Sequence, residues 1–205
     1  MTIGATHAGR PRDPEVDRRV ADAAVALFGE AGWAGFSVEA VAKRACVGKA
    51  SIYLRWTTKE ALLVDALRRR VGTIAEVDTG SLRGDLIKLA CQMLDLYLGD
   101  AGRAALRLRL EGDLIPGLAE QLNALQTSQV LAARGIVRRG IRLGEIPEGT
   151  SITLLLDTLV GGATTHAHAA PKDLRDTLRA GTTRYAEQLV DFLLTAVNSG
   201  HLARS

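Results

Sequence analysis

The chain has 205 residues, of which 47% are hydrophobic and 24% are charged, and its formal net charge at pH 7 is +3. This composition is that of a soluble globular protein, and it excludes collagen-like, mucin-like and wholly disordered chains. Only 4% of the residues are aromatic, so Leu, Val, Ile and Ala must build the core, which favours helices packed on helices.

Cysteine use and apolar runs predict the compartment. Cys46 and Cys91 are too few for a disulfide framework, which indicates a reducing cytoplasm. Residues 1–14 contain no apolar export segment. The longest apolar run, residues 152–163, is interrupted by Asp157 and is too short to span a bilayer. We therefore expect a cytoplasmic protein that has no membrane partner.

Positive charge is concentrated in the first third of the chain. Residues 1–72 hold 12 of the 26 Lys and Arg residues but only 8 of the 23 Asp and Glu residues, whereas residues 73–205 hold 14 and 15. A nucleic-acid-binding head on a separate, neutral body fits this distribution. A chance excess of four charges explains it as well.

Helical periodicity runs through the chain and predicts an all-α protein of about nine helices. In the first helix, residues 14–31 place their apolar side chains on one stripe, and Gly32 ends the helix. Residues 106–110 alternate and would read alone as a strand, but no second strand signal exists to pair with them, so we predict a helix. Further helices are predicted after Thr57 and Thr58, around residues 82–97, over residues 116–143, from residue 152 and around residues 185–196.

Residues 37–56 read SVEAVAKRACVGKASIYLRW and carry the functional signal. Ser37 is a good N-cap for a two-turn helix, residues 46–48 break the pattern, and a second short helix follows over residues 49–55. This spacing is that of a helix-turn-helix, whose second helix enters the DNA major groove. Ile52 is expected to face the core, and the outward side chains are Lys49, Ala50, Ser51, Tyr53 and Leu54. Lys49 offers charge to phosphate, while the hydroxyls of Ser51 and Tyr53 suit phosphate or base edges.

Four groups of residues form an ordered pattern at fixed spacing: Ala24, Leu27, Phe28 and Gly32; Ser37, Val38, Val41, Ala42 and Ala45; Val47, Lys49, Ser51, Ile52, Tyr53 and Trp56; and Lys59, Glu60 and Leu62. With this pattern, residues 23–67 resemble the DNA-binding head of the TetR family of bacterial transcriptional repressors. The close resemblance covers about a quarter of the chain, and the rest is similar only in general shape.

The resemblance implies roles for individual residues. Ser37 would cap the second helix and touch phosphate, and Lys49, Ser51 and Tyr53 would lie on the recognition helix. Lys59 would open the fourth helix and contact the DNA backbone, helped by the N-terminal dipole of that helix.

Two positions depart from the family pattern. Cys46 stands at the turn, where the family has Gly and a left-handed backbone would cost a Cys more. Gly48 replaces the usual Ser or Thr cap of the recognition helix. Trp56 is interpreted as a packing residue. Arg10 and Arg12 resemble a hook for the minor groove, although a solvated tail explains them too.

The resemblance also implies an organisation and a partner set. Residues 1–57 would form a helix-turn-helix DNA-binding domain with a flexible N-terminal arm, and residues 58–205 an effector-binding and dimerisation domain. The expected function is a ligand-responsive regulator, a homodimeric repressor that a small organic effector releases from double-stranded operator DNA. Neither a cofactor nor enzymatic activity is expected.

The body contains two sets of candidate residues. An effector requires an apolar cavity with a few polar groups, which Met93, Tyr97, Leu110, Leu125, Gln126 and Asp157 would line, although plain core packing explains each of them. Asp157 is the most informative, because a carboxylate inside an apolar stripe must be paired, solvated or functional. Glycine inside an apolar helix suggests the close approach of another helix, and the expected dimer interface comprises Gly161, Gly162, Tyr185, Leu189, Phe192 and Leu193.

Two alternatives belong to other classes of protein. His166 and His168 with Asp157 suggest a metal-dependent enzyme, but side chains at i and i+2 of a helix point about 200° apart, so both His residues would bind one ion only where the helix ends. Pro171 would allow such an end. Cys46 suggests a redox sensor, with Cys91 as the single possible partner. No common catalytic or phosphate-binding motif is present.

Overall fold

The computed structural model describes residues 13–71, 77–115 and 117–200. This part of the chain contains ten α-helices, two short 3-10 helices and no strand, which confirms the all-α class and slightly exceeds the predicted nine helices. None of the described helices combines the length and hydropathy of a membrane span. The α-helices are α1 (Pro14–Gly35), α2 (Val38–Ala45), α3 (Lys49–Tyr53), α4 (Lys59–Val71), α5 (Leu82–Leu98), α6 (Gly102–Glu111), α7 (Leu118–Arg142), α8 (Ile152–Ala169), α9 (Arg175–Ala180) and α10 (Thr182–Asn198), and the 3-10 helices are Gly112–Leu114 and Lys172–Leu174.

Helix α1 is broken at Gly32, as the sequence predicts. Gly32 has φ +66° and ψ −172°, a conformation that L-residues rarely adopt. A Cβ atom at this position would lie 2.6 Å from Nη1 of Arg107 and 2.8 Å from Oε2 of Glu111. The glycine therefore serves both the backbone turn and the close approach of α6.

The first core lies between α1, α2, α3 and α4. Phe28, Val41 and Ile52 are fully buried in it, together with Leu62 and Leu63 of α4. Three further residues belong to the same core: Ala104 of α6, Ile115 just after the first 3-10 helix, and Leu118 at the start of α7. The segment from α6 to the start of α7 therefore packs against the N-terminal helices. The domain boundary after residue 57 remains a prediction. Helix α4 begins two residues beyond it and contributes Leu62 and Leu63 to the first core.

The second core lies where α5 packs against α8 and α10. Leu86, Leu89 and Leu94 of α5 meet Leu155 and Leu159 of α8 in this buried cluster. The region predicted as helix over residues 106–110 is helical in α6, where Leu108 packs against the first core and Leu106 and Leu110 are exposed.

A buried carboxylate holds the segment before α5. Asp85 accepts hydrogen bonds from the Thr79 backbone N–H at 2.7 Å and from the Thr79 hydroxyl at 2.8 Å. Arg139 of α7 donates to the second oxygen of Asp85 and, at 3.1 Å, to the Val77 carbonyl. Burial raises the pKa of Asp85, but these hydrogen bonds outweigh it and hold the pKa below its usual value. The ion pair between Asp85 and Arg139 therefore links α5 to α7.

Candidate DNA interface

The turn between α2 and α3 contains Cys46, one of the two residues that depart from the sequence pattern of the resembling family. Cys46 has φ 55° and ψ 48°, a left-handed conformation that glycine adopts without steric cost. The Val47 backbone N–H donates to the Ala42 carbonyl at 3.0 Å and closes the end of α2. Gly48 begins α3 without a side-chain cap, and Ser37 caps α2 by accepting from the Ala40 N–H at 3.2 Å, as predicted.

Helix α3 has a buried anchor and an exposed face. Ile52 is fully buried, whereas Tyr53 is 49% exposed and Leu54, just beyond the helix, is 85% exposed. Lys49 and Ala50 are exposed, and Ser51 is half-buried. The predicted outward residues thus share one accessible surface, which we call the recognition face (Lys49, Ala50, Ser51, Tyr53 and Leu54).

Lys49 is engaged with a neighbouring helix in this structure. Its Nζ lies 2.5 Å from Oε1 of Glu39 at the start of α2, and both side chains are more than half exposed. The hydrogen bond from Lys49 lowers the pKa of Glu39. An exposed ion pair of this kind is weak, so a phosphate can compete for the ammonium group.

A buried ion pair that the sequence analysis did not predict fixes the far end of α3. Arg55 Nε donates to Oδ1 of Asp17 in α1, and Arg55 Nη1 donates to the Ser51 carbonyl at 2.9 Å. Only 15% of the Arg55 side chain and 8% of the Asp17 side chain are exposed. The sequence offered one sign of this ion pair: Asp17 places a charge on the apolar stripe of α1, three residues before Val20.

Two tryptophans close the head. Trp56 is buried, as predicted, and its Nε1 donates to Oδ2 of Asp65 at 2.9 Å. Nζ of Lys59 lies 3.8 Å from the centre of the Trp33 ring, within cation–π distance. The predicted contact between Lys59 and phosphate remains a prediction, and it would compete with this ring contact.

The break in α1 is bound by α6. Arg107 donates to the carbonyls of Gly29 at 3.1 Å and Glu30 at 3.2 Å, and to Oε1 of Glu111 at 2.7 Å. Oε2 of Glu111 accepts from the Trp33 N–H at 2.9 Å, and this bond lowers the pKa of Glu111, with Arg107 adding to the effect. We call Arg107, Glu111 and the backbone of residues 29–33 the α1–α6 clamp. The i, i+4 spacing of the two charged residues was its only sequence signal.

The predicted effector residues differ in exposure, and their shared pocket stays a prediction. Leu110 is 73% exposed, and Gln126 and Asp157 are exposed, so the carboxylate of Asp157 is open to solvent on α8, one of the three outcomes expected for it. Tyr97 is buried and Met93 half-buried beside the second core. The side chain of Leu125 lies outside the described part of the structure, as do Arg10 and Arg12.

The predicted dimer residues divide into two groups. Gly161 and Phe192 are exposed on α8 and α10, Phe192 by 69%. Leu193 is 2% exposed inside the core of its own chain, which corrects its assignment to an interface. A Cβ on Gly162 would lie 3.2 Å from Leu189 of the same chain, so this glycine admits its own α10. Tyr185 is half-buried.

The residues of the metal and redox alternatives lie apart. His166 stacks on Tyr185 of α10 with ring centres 3.6 Å apart, whereas His168 meets the edge of Tyr97 of α5 at 4.9 Å. Among the described residues, no group of three His, Cys, Asp or Glu side chains has metal-binding geometry. Cys46 is exposed at the head turn, and Cys91 lies beside the second core.

A short helix with an exposed polar and aromatic face, anchored by Ile52 and Arg55 and attached to a larger helical body, defines a helix-turn-helix DNA-binding regulator. Residues 20–66 match the family described as "Bacterial regulatory proteins, tetR family", and residues 76–193 match "Tetracyclin repressor-like, C-terminal domain". The chain belongs to the TetR family of transcriptional regulators.

Individual proteins agree with this assignment. The chain is 31% identical over 155 residues to the uncharacterized HTH-type transcriptional regulator YdeS of Bacillus subtilis, covering 75% of this chain and 78% of YdeS. It is 34% identical over 146 residues to the HTH-type transcriptional regulator AqdR of Rhodococcus erythropolis, covering 70% of each. The crystal structure of the repressor MexZ of Pseudomonas aeruginosa has a similar fold, with a TM-score of 0.74 at 20% identity over 94% of this chain and all of MexZ.

Proposed function

We propose that this regulator is a repressor that binds a two-fold symmetric operator as a homodimer and leaves it when a small organic effector binds the body. The observation that carries the proposal is the recognition face, where Tyr53 and Leu54 are exposed although both are large and largely apolar. An apolar contact with the thymine methyl group in the major groove would use such side chains. The match of residues 76–193 to a repressor-like domain supports repression as the direction of regulation.

Each residue of the face has a role that its position supports. Lys49 would exchange Glu39 for a phosphate, which positions the helix without reading sequence. Ser51 and Tyr53 would donate hydroxyl hydrogen bonds, and Leu54 would contact a methyl group. Ser37 at the start of α2 and Lys59 at the start of α4 would hold the flanking backbone. The N-terminal Arg10 and Arg12 would enter the minor groove.

The outer faces of α8 and α10 support a dimer. Leu154 and Phe192 are 43% and 69% exposed, and a Cβ at Gly161 would meet no heavy atom of the described chain within 4 Å. Exposed apolar residues beside a helical glycine suit the close approach of a second copy. A dimer would place two recognition faces on half-sites about 34–36 Å apart, or a multiple of that distance.

The α1–α6 clamp supports a route from the body to the head. Arg107 and Glu111 bind the backbone at the Gly32 break. Trp33 follows the break, and the ammonium group of Lys59 at the start of α4 lies over its ring. A shift of α6 would therefore reach both α1 and the start of α4. An effector changes the operator affinity only by binding one head arrangement better than the other, and coupling of about 1–3 kcal/mol is typical.

Selection of binding sites from random double-stranded DNA tests the proposal. We expect enrichment of an inverted repeat and, for the Tyr53→Ala variant, at least about tenfold weaker binding to the enriched site. Leu131→Ala on α7 is the control, because Leu131 is also exposed, by 57%, but lies away from the recognition face. Selection that enriches no sequence would contradict the proposal, as would equal losses in both variants.

A further inference from the structure

Four side-chain atoms of the described chain are buried without any hydrogen-bond partner. All of them lie in the body: Gln92 Oε1 on α5, Thr164 Oγ1 and His168 Nε2 on α8, and Arg175 Nε at the start of α9. Folded proteins leave few such atoms, because each gives up a hydrogen bond that water supplies in the unfolded chain. Their concentration in one unit therefore needs an explanation.

Arg175 differs from the other half-buried arginines of the described chain. Each of the other four donates to an acceptor of the same chain: Arg55 to Asp17, Arg107 to Glu111, Arg134 to Thr153 and Arg139 to Asp85. Within the same described ranges Arg175 has no ion-pair partner, and its Nε–H is buried without an acceptor. A half-buried guanidinium whose Nε–H lacks an acceptor suits an oxyanion, because guanidinium N–H groups match two oxygens at once.

His168 places a second nitrogen at the same site. Its Nε2 is buried without a partner, and its ring meets the edge of Tyr97 at 4.9 Å. Burial lowers the pKa of His168, and the positive charges of Arg175 and Arg109 lower it further. Arg175 follows His168 by seven residues, and its helix α9 packs against α5, as the His168 ring does through Tyr97.

Apolar side chains of α5 and α9, two of the helices that carry these polar groups, pack on the second core. Met93, Leu96 and Leu178 are half-buried against the second core, from α5 and α9. Thr164 stands one turn before His168 on α8, so their side chains share a face. Positively charged and apolar side chains on the same packed helices suit an amphiphilic anion.

We propose that Arg175, His168 and Thr164 bind the oxyanion of the effector, an organic carboxylate or phosphate monoester that carries an apolar chain. Arg109 contributes charge from α6, the helix that also carries the α1–α6 clamp. The inference rests on the proposed function for its regulatory consequence, while binding at the site can be measured without DNA.

Matched pairs of an anion and its neutral analogue test the site. Octanoate is compared with octanamide, and octyl phosphate with octanol, by calorimetry on the full chain, with inorganic phosphate alone as a third probe. We expect at least one anion to bind about tenfold or more tightly than its neutral partner, because a charge-assisted hydrogen bond replaces a neutral one. The two pairs decide between carboxylate and phosphate, and weaker binding of inorganic phosphate shows that the apolar chain contributes.

Variants assign the binding to these residues. Arg175→Met should remove the preference for the anion, and Arg179→Met, which changes an exposed arginine one turn later on α9, should keep it. His168→Phe retains a ring beside Tyr97 and removes the nitrogen, so it should weaken anion binding as well and serves where Arg175→Met does not fold. Equal binding of anions and neutral analogues overturns the inference, as does binding of neither or an unchanged preference in Arg175→Met and His168→Phe.

A DNA measurement separates this inference from the proposed function. The operator obtained by selection is titrated in the presence of the anion that binds best. Release that Arg175→Met abolishes supports both proposals. Arg175-dependent binding of an anion that leaves the operator bound supports the site and contradicts its regulatory role. A chain that selects no operator contradicts the proposed function, while calorimetry still decides the anion site.

Discussion

The backbone N–H of Trp33 donates a 2.9 Å hydrogen bond to Oε2 of Glu111, which joins α1 to α6. The bond lies at the break in α1, where the regular helix hydrogen bonds are interrupted at Gly32. Arg107 binds the carbonyls on the other side of the same break. Without α6, the Trp33 N–H and the two carbonyls at the break would be left to bind water. The break in α1 and the α1–α6 clamp therefore form one structural unit.

Replacing Gly32 with Ala should lower the free energy of unfolding by about 2–3 kcal/mol, because φ +66° with ψ −172° is strained for any L-residue and the added Cβ displaces Arg107 and Glu111. Urea unfolding of the purified chain measures the change. Gly135→Ala on α7 is the control: a Cβ there meets no described atom within 4 Å, and stability should rise by about 1 kcal/mol. Similar changes in the two variants would mean that the clamp does not constrain Gly32.

Lys49→Ala should weaken binding to the selected operator and reduce the slope of log affinity against log salt by about 0.9, the contribution of one neutralised phosphate. Glu39→Gln should do the reverse and strengthen binding, because Glu39 holds the Lys49 ammonium at 2.5 Å and repels the DNA backbone. Fluorescence anisotropy over a range of salt concentrations measures both. A slope that Lys49→Ala leaves unchanged would place Lys49 away from phosphate.

Cys46→Gly should raise the free energy of unfolding by about 0.5–1 kcal/mol, because glycine adopts φ 55° without steric cost but loses more chain entropy. Thermal and urea unfolding measure the gain. Cys46→Ala, which keeps a Cβ, should bring no gain. If both variants behaved alike, the left-handed cap would not be the source of strain.

The Asp85 network predicts an acid dependence of stability. The pKa of Asp85 in the folded chain lies below its ordinary value of about 4, so the ionised carboxylate stabilises the fold above that pH. The contribution is lost as the pH falls through the lowered pKa. Asp85→Asn should lower the free energy of unfolding at pH 7 and make its decline below pH about 4 shallower.

Unfolding in urea at a series of pH values measures the Asp85 effect. Asp100→Asn, in the exposed turn after α5, is the matched control and should leave the pH dependence close to that of the parent chain. Arg139→Ala removes the other partner and should destabilise at neutral pH, because it leaves the carboxylate buried without its cation. If Asp85→Asn left the decline of the unfolding free energy below pH about 4 unchanged, Asp85 would not be the cause of that decline.

Phe192→Arg should convert the proposed dimer into a monomer, because it places a charge on α10 where the Phe192 side chain is 69% exposed in the single chain. Light scattering measures the mass. Phe192 is a better site than Leu189, which packs beside Gly162 of its own chain. Leu131→Arg on the exposed side of α7 is the control, and a Phe192→Arg variant with the parent's dimeric mass would place the interface elsewhere.

The helix-turn-helix was predictable from the sequence because its determinants are local. Ser37 as a cap, the break at residues 46–48 and the inward Ile52 follow from turn and cap preferences and from the helical period, and the structure confirms each of them. Gly32 as an interruption was predictable for the same reason. The outward side of α3 then follows, because a short helix with one buried residue has only one other face.

The contacts between distant residues were decided by the tertiary structure alone. Arg55 meets Asp17 across 38 residues, and Glu111 meets Trp33 across 78, and no local pattern couples such pairs. The same limit explains Leu193 and Asp157. Both lie on apolar stripes, but a stripe does not say which of its edges faces the chain's own core. Packing of α8 and α10 against α5 buries Leu193 of α10 and leaves Asp157 of α8 exposed.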